Sequence, residues 1–244
     1  MNTIHSLLFV VHIIFGSMAL ILFWVPIATK KGGLDHRKFG RHYANTMYAV
    51  AASGALMALM VLFAPLVIKH QLVNENTDTQ QLALNLRIFW SFLLYLSLLA
   101  FVNVRHGILV LKNKKQHSNM RQWPHLFSIG LLLVGGLLLF SLGITYSNSL
   151  HIIFGVLGTV LAIQSGRFCL AKSVPVNRWL VEHIGSSIGS GIGAYTAFIS
   201  FGGRSMFGYI GEWQFVFWVA PGVIGAIASA RMSCKYKNGL AAKS

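Results

Sequence analysis

The pentapeptide HIIFG stands at residues 12–16 and recurs at residues 151–155. Each copy is followed by a basic segment and then by the pattern Arg-x-x-x-x-His, first at residues 37–42 and then at residues 178–183. The two patterns are offset by 139 and 141 residues, so a loop that differs by two residues reconciles them. Two patterns that recur at nearly the same offset indicate an internal repeat. This repeat places histidines at equivalent positions in two halves of the chain.

The composition is that of an integral membrane protein. Of 244 residues, 55% are hydrophobic and 10% are charged, and the mean hydropathy is +0.64; soluble domains have about a quarter of their residues charged. The chain contains twenty basic residues and only five acidic ones. The basic residues stand in short clusters between apolar runs, where they set membrane topology. We therefore expect the protein to lie in a lipid bilayer, its main partner, and not to bind nucleic acid.

Seven apolar runs are long enough to cross about 30 Å of hydrocarbon. They lie at about residues 4–28, 44–68, 84–110, 125–146, 149–170, 184–203 and 214–233. We predict an all-α fold, a seven-transmembrane-helix bundle that forms a single transmembrane domain over residues 1–244. Two parallel three-helix repeats, at about 4–110 and about 149–233, are joined by a connecting helix at about 125–146.

Lysine and arginine are concentrated in alternate loops and in the C-terminal tail. By the positive-inside rule, this distribution predicts a multi-pass membrane protein with its N-terminus outside and its C-terminus in the cytoplasm. The first apolar run lacks a basic n-region and a cleavage site, so we interpret it as a retained helix. Cys169 and Cys234 end apolar runs on the cytoplasmic side, where a structural disulfide is not expected.

Histidines at repeat-equivalent positions suggest a cofactor. His12 and His151 form one pair near the outer face, and His42 and His183 form another near the inner face. Ionisable residues inside a membrane are functional candidates. In the first hypothesis, each pair supplies two axial imidazoles to a haem b, and the second nitrogen of each ring finds an acceptor on a neighbouring helix. The arginines available to the haem propionates are Arg87 and Arg204 outside and Arg37, Arg105 and Arg178 inside.

Under this hypothesis the chain is a membrane electron-transfer protein or oxidoreductase with a quinone or another redox partner. One alternative is a histidine-dependent, proton-coupled transporter or channel whose path includes Arg87, Glu182 and His183. Whether the chain is an enzyme stays open at this point.

Another alternative is a metal-dependent membrane enzyme that binds a transition metal such as zinc or copper. Its inner cluster would draw on His36, His42, His106, His125 and His183, with Glu182 or Asp35 as a base. Across both hypotheses, the predicted metal ligands are His12, His42, His106, His151 and His183. The sequence contains no HExxH or CxxC pair that would favour one metal.

Short motifs along the chain resemble a known family. They are H-x3-G-x3-L at residues 12–20, KGG-x2-HR-x2-GR at 31–41, W-x3-H at 179–183, TAF at 196–198 and W-x2-P at 218–221. Through these motifs the chain resembles a bacterial family of uncharacterised multi-pass membrane proteins, the domain of unknown function 2306 type. The resemblance covers nearly the whole chain. It implies a multi-helix inner-membrane protein and carries no activity with it.

Overall fold

The computed structural model describes residues 2–202 and 214–241, and these residues form helices and no strand. The helices are α1 (Asn2–Ala28), α2 (Leu34–Phe63), α3 (Pro65–Ile68), α4 (Thr79–Lys112), α5 (Trp123–Thr145), α6 (Ser149–Leu170), α7 (Arg178–Ala197) and α8 (Gln214–Ala241). Two 3-10 helices, His70–Leu72 and His117–Arg121, and one π-helical turn, Phe198–Gly202, lie between them. The prediction of an all-α fold is confirmed.

Within residues 2–202 and 214–241, five helices are long and apolar enough to cross a membrane, namely α1, α2, α4, α5 and α6. Their length and composition indicate a membrane protein surrounded by lipid. The sixth and seventh predicted runs coincide with α7 and α8, which are 20 and 28 residues long but are not among these five helices. Glycine and serine are frequent in α7 and lower its hydropathy.

Three helices begin five or more residues earlier than the apolar runs predict, and this is a correction. Helix α4 begins at Thr79, where residue 84 was predicted. Helix α2 begins at Leu34, where residue 44 was predicted, and α7 begins at Arg178, where residue 184 was predicted. Polar residues can continue the backbone hydrogen bonds of a helix beyond its apolar part, and Asp35 in the first turn of α2 suits the positive end of the helix dipole. His42 and His183 therefore lie inside helices.

Proline explains why the second helix is shorter than its apolar run. Helix α2 ends at Phe63, where the run predicted residue 68, and Pro65 then starts the short helix α3. A proline disfavours helical backbone angles at the residue before it, and Ala64 has φ −135° and ψ 62°.

The chain divides into two compact units. The first takes the chain up to Ser17, then Asn45–Val102 and Leu126–Arg167. The second takes Met18–Ala44, Asn103–His125 and the chain from Phe168 onward. Each unit combines segments of the predicted first repeat, the connecting helix and the second repeat.

In the first unit, α5 and α6 approach each other closely at glycines. A Cβ atom added to Gly155 would lie 2.7 Å from the backbone nitrogen of Phe140 and 2.8 Å from the carbonyl oxygen of Gly136. The turn that joins the two helices contains Ser147 at φ 51°. Tyr95 of α4 donates a hydrogen bond from its hydroxyl to the carbonyl oxygen of Leu132 at 3.1 Å. Close contact at small residues is a common way for helices to associate in membranes.

In the second unit, α7 is tied to α1 and α2 by tyrosines. The hydroxyl of Tyr195 donates to the carbonyl oxygen of Leu20 at 2.9 Å and accepts from Trp24 Nε1 at 2.5 Å. Tyr43 OH and Ser190 Oγ are 2.9 Å apart, and both side chains are buried. These bonds hold the middle and the C-terminal end of α7 within this unit, and the same helix carries Glu182 and His183 nearer its N-terminus.

Candidate metal centre

Three buried donor side chains meet in the second unit. His106 lies toward the end of α4, His125 in the first turn of α5 and Cys169 at the end of α6. One ligand atom from each residue lies within 4.8 Å of the others. The three side chains are 1%, 0% and 0% exposed in the same order. Three helices thus bring together three side chains of the kinds that bind metal ions, and these side chains are not accessible to bulk water.

One ring nitrogen of His106 and one of His125 lie almost as far apart as two ligands of the same metal ion. His106 Nδ1 lies 3.0 Å from His125 Nε2, and the rings are stacked with centroids 5.2 Å apart and planes at 29°. A tetrahedral ion with metal–nitrogen bonds of about 2.0 Å and metal–sulfur bonds of about 2.3 Å holds its ligand atoms roughly 3.3–3.6 Å apart. A small movement of the three side chains is therefore sufficient to enclose an ion.

A carboxylate lies behind His106. Glu182 Oε2 is 3.5 Å from His106 Nε2, and its other oxygen, Oε1, pairs with Arg178 Nη2 at 2.6 Å and accepts from Arg178 Nε at 2.9 Å. Because a carboxylate accepts hydrogen bonds, it favours the His106 tautomer that carries its proton on Nε2. The lone pair of Nδ1 is then available to accept from His125 Nε2 at 3.0 Å. A carboxylate paired with a histidine in this way orients metal ligands in many metalloproteins.

The end of helix α6 is fixed next to this cluster. Arg121 Nη2 donates to the carbonyl oxygens of Leu170 and Ala171 at 3.4 and 3.1 Å, and these are the two residues after Cys169. A cation is favourable at a helix C-terminus, where carbonyl groups lack helical partners. Cys169 is therefore held at a defined position.

The donor set selects among metals. Imidazole nitrogens and a thiolate suit zinc and copper, whereas magnesium and calcium prefer oxygen ligands. Zinc or copper with three protein ligands can bind at most one or two further ligands. Most of the ligands of an ion at this site would therefore be protein side chains. Both cysteines are free thiols, with Cys169 buried and Cys234 exposed.

The first predicted haem pair lies in the first unit. His12 Nδ1 is 3.0 Å from Ser53 Oγ, and because that hydroxyl donates to the carbonyl oxygen of Ala49 at 2.7 Å, the imidazole is the donor. His151 donates from Nε2 to the carbonyl oxygen of Ile88 at 3.0 Å, and its Nδ1 is buried without a hydrogen-bond partner. No hydrogen bond or ring contact among the described residues joins His12 to His151.

The members of the second predicted pair differ in their surroundings. His183 donates from Nδ1 to the carbonyl oxygen of Gly107 on α4 at 3.2 Å. His42 is exposed on α2, with its ring beside Phe39 at 6.3 Å between centroids. The predicted acceptors on neighbouring helices are thus present for His12, His151 and His183. No described contact joins His42 to His183.

The predicted arginines are dispersed. Arg87 donates from Nε to the carbonyl oxygen of Leu62 at 3.3 Å in the first unit, Arg37 is exposed, and Arg178 pairs with Glu182. Arg204 lies outside the described residues. Glu182 and His183, which the transporter hypothesis combines with Arg87, belong to the second unit.

Sequence reasoning found part of the cluster. His106 and His125 were both expected in an inner metal cluster, while His36, His42 and His183 are not among the three grouped donors. His36 instead donates from Nδ1 to the carbonyl oxygen of Pro26 at 2.9 Å. Cys169 was missed. The available signal was its position at the end of an apolar run that was predicted to face the cytoplasm, the level also predicted for His106 and His125.

No protein-family model, no curated protein and no solved structure matches this chain. The resemblance to the domain of unknown function 2306 type stays a prediction. The functional argument therefore depends on the residues of the cluster and their geometry.

Proposed function

We propose that the protein is a membrane electron-transfer protein or oxidoreductase whose redox centre is a copper ion bound by His106, His125 and Cys169. The observation that carries this proposal is the buried group of two imidazoles and one thiol from three helices. Two histidines and one cysteine are the equatorial donors of copper sites that transfer single electrons. Zinc fits the same atoms but supplies no redox chemistry.

Each side chain has a defined role at this centre. Cys169 binds as the thiolate, so its proton is released when the ion binds. His106 binds through Nδ1 while Glu182 holds the proton on Nε2. His125 binds through Nε2, which requires its proton to move to Nδ1. Arg178 keeps the carboxylate of Glu182 in place.

The reaction requires a donor and an acceptor of single electrons. Copper held by His106, His125 and Cys169 would supply one-electron chemistry, because it would alternate between the cuprous and cupric states. A membrane quinol is the donor class that the lipid setting favours. Oxidation of one quinol to the quinone delivers two electrons, one at a time, and releases two protons.

The proposed setting is the bacterial inner membrane. Seven spanning helices, α1, α2 and α4 to α8, would place the N-terminus outside and the C-terminus in the cytoplasm, as the basic loops favour. The centre would then lie toward the cytoplasmic side. The two parallel repeats are part of this proposal and are supported by the recurrence of HIIFG and Arg-x-x-x-x-His in the sequence.

Metal content tests the proposal. Protein purified from cells grown with copper should contain about one copper ion per chain when measured by mass spectrometry. His106→Ala and Cys169→Ser should lose it, whereas Cys234→Ser, the matched change at the exposed cysteine, should keep it. Wild-type protein that holds zinc and excludes copper would overturn the redox role. Wild-type protein that binds neither metal would overturn the centre itself.

Haem b remains a second candidate cofactor, and it has a separate structural support. His12, His151 and His183 each donate one ring nitrogen to a group on another helix. This arrangement leaves the lone pair of the other nitrogen for a ligand, as axial histidines require. Protein purified from haem-replete cells should then show a Soret band that His151→Ala diminishes. Purified wild-type protein without that band would contradict the haem hypothesis and leave the copper proposal intact.

A further inference from the structure

The 3-10 helix between α4 and α5 carries two donors that prefer soft metals. His117 begins this helix and Met120 follows three residues later. Side chains at i and i+3 of a 3-10 helix lie on one face. Met120 is 1% exposed, and Asn113 Nδ2 lies 3.6 Å from its sulfur. An imidazole and a thioether therefore occupy the same side of a short segment whose Met120 side chain is buried.

His117 has an unused nitrogen. Its Nε2 atom is buried and has no hydrogen-bond partner. A buried polar atom without a partner is unusual in proteins and destabilises the fold, so it needs an explanation. A bound ion at this nitrogen would provide one.

Phe168 connects His117 with the candidate centre. Its ring packs edge-on against His117, with centroids 4.8 Å apart, and edge-on against His106, with centroids 5.7 Å apart. Phe168 also directly precedes Cys169 in the sequence. One aromatic ring thus contacts both His117 and a ligand of the centre.

Burial of the centre creates the need for such a route. His106, His125 and Cys169 are at most 1% exposed, so an ion cannot reach them directly from water. Lys114 and Lys115 are exposed close to His117 in the sequence and would repel a free cation. Copper delivered as an anionic complex would instead be attracted to this segment.

We propose that His117 and Met120 form an outer site for cuprous ion, through which copper reaches His106, His125 and Cys169. The inference rests on the proposed copper centre. Imidazole and thioether ligands favour cuprous ion over zinc or magnesium. In the transfer step, the bonds from copper to His117 nitrogen and Met120 sulfur break, and bonds to His106 nitrogen, His125 nitrogen and Cys169 sulfur form. The thiol proton of Cys169 passes to the buffer, and the ion stays cuprous throughout.

The test measures the rate of copper loading. Metal-free, full-length protein in detergent is mixed without oxygen with the anionic cuprous bicinchoninate complex, and the loss of colour of the complex reports transfer. His117→Ala and His117→Gln should load at least tenfold more slowly than wild type and reach the same final copper content. His70→Ala is the matched control, because His70 also begins a 3-10 helix and is exposed. It should load at the wild-type rate.

Four results would overturn the outer site. Loading of both His117 variants at the wild-type rate would show that copper does not pass through this residue. Variants that take up no copper would show that His117 belongs to the inner centre or to the fold. A final copper content as high in Cys169→Ser as in wild type, or wild-type protein that takes up no copper, would instead refute the proposed centre, and the outer site would fall with it.

Discussion

His106 Nδ1 and His125 Nε2 lie 3.0 Å apart, and this contact joins the end of α4 to the first turn of α5. Both side chains are buried, so one nitrogen must donate and the other must accept. The pair is therefore a preformed two-nitrogen site with its rings held in place by packing. Cys169 adds a sulfur and Glu182 orients one of the rings.

Replacing Glu182 by glutamine should weaken copper binding without removing it. The neutral amide attracts the proton on His106 Nε2 less strongly, and loss of such a partner typically lowers metal affinity roughly 10–100-fold. Competition titration against a chromophoric copper chelator measures the change. Glu75→Gln is the matched control in an exposed loop and should leave affinity unchanged. Equal affinities for the two variants would show that Glu182 does not orient the ligand.

Gly155→Ala should destabilise the protein by about 1–3 kcal/mol, the usual cost of overpacking. The added Cβ would lie 2.7 Å from the backbone nitrogen of Phe140, and backbone cannot move aside as a flexible side chain can. Gly16→Ala, the same change in the other HIIFG copy, should be neutral or slightly stabilising, because nothing lies within 4 Å of its Cβ position. Denaturant unfolding in mixed micelles compares them. Equal effects of the two changes would contradict the close α5–α6 packing.

Tyr43→Phe should cost about 0.5–1.5 kcal/mol of stability, the net value of one hydrogen bond. Ser190 Oγ donates to the carbonyl oxygen of Ser187 at 2.8 Å, so Tyr43 is the donor in its 2.9 Å contact with Ser190. Phenylalanine keeps the shape of the buried ring and removes only the hydroxyl. Tyr146→Phe, at an exposed position, provides the baseline in the same unfolding assay. A Tyr43 variant as stable as that baseline would remove the role given to this bond.

A reporter attached after the last residue tests the proposed orientation. The basic loops favour a cytoplasmic C-terminus, so a reporter that is active only in the cytoplasm should give signal there. A reporter that is active only outside the cytoplasm should stay silent. Activity of the second reporter would show that the orientation or the number of spanning helices is different.

Apolar runs predicted the helices well because a spanning helix must satisfy its backbone internally and expose apolar side chains to lipid. The apolar runs did not predict the first residues of helices that begin with a polar segment. Leu34 and Arg178 begin helices in segments that hydropathy alone assigns to loops. The end of α2 could have been predicted from Pro65, whose effect on the preceding residue is local.

The candidate centre was only partly predictable. The depth of a residue in the membrane follows from its position in an apolar run, and depth brings His106, His125 and Cys169 to one level. The rotation of each helix about its axis does not follow from hydropathy, since it depends on packing contacts. The two HIIFG copies show this limit: Gly16 faces open space, while Gly155 packs against backbone atoms of α5. Identical motifs therefore predicted equivalent surroundings that these glycines do not have.

X-ray absorption at the copper edge tests the central claim most directly, because it reports which atoms bind the ion. Copper-loaded wild-type protein should show one sulfur and two imidazole nitrogens around copper. Cys169→Ser should lose the sulfur, and Cys234→Ser should keep it. Wild-type protein whose copper has no sulfur ligand, or a Cys169→Ser variant that retains one, would contradict a centre formed by His106, His125 and Cys169.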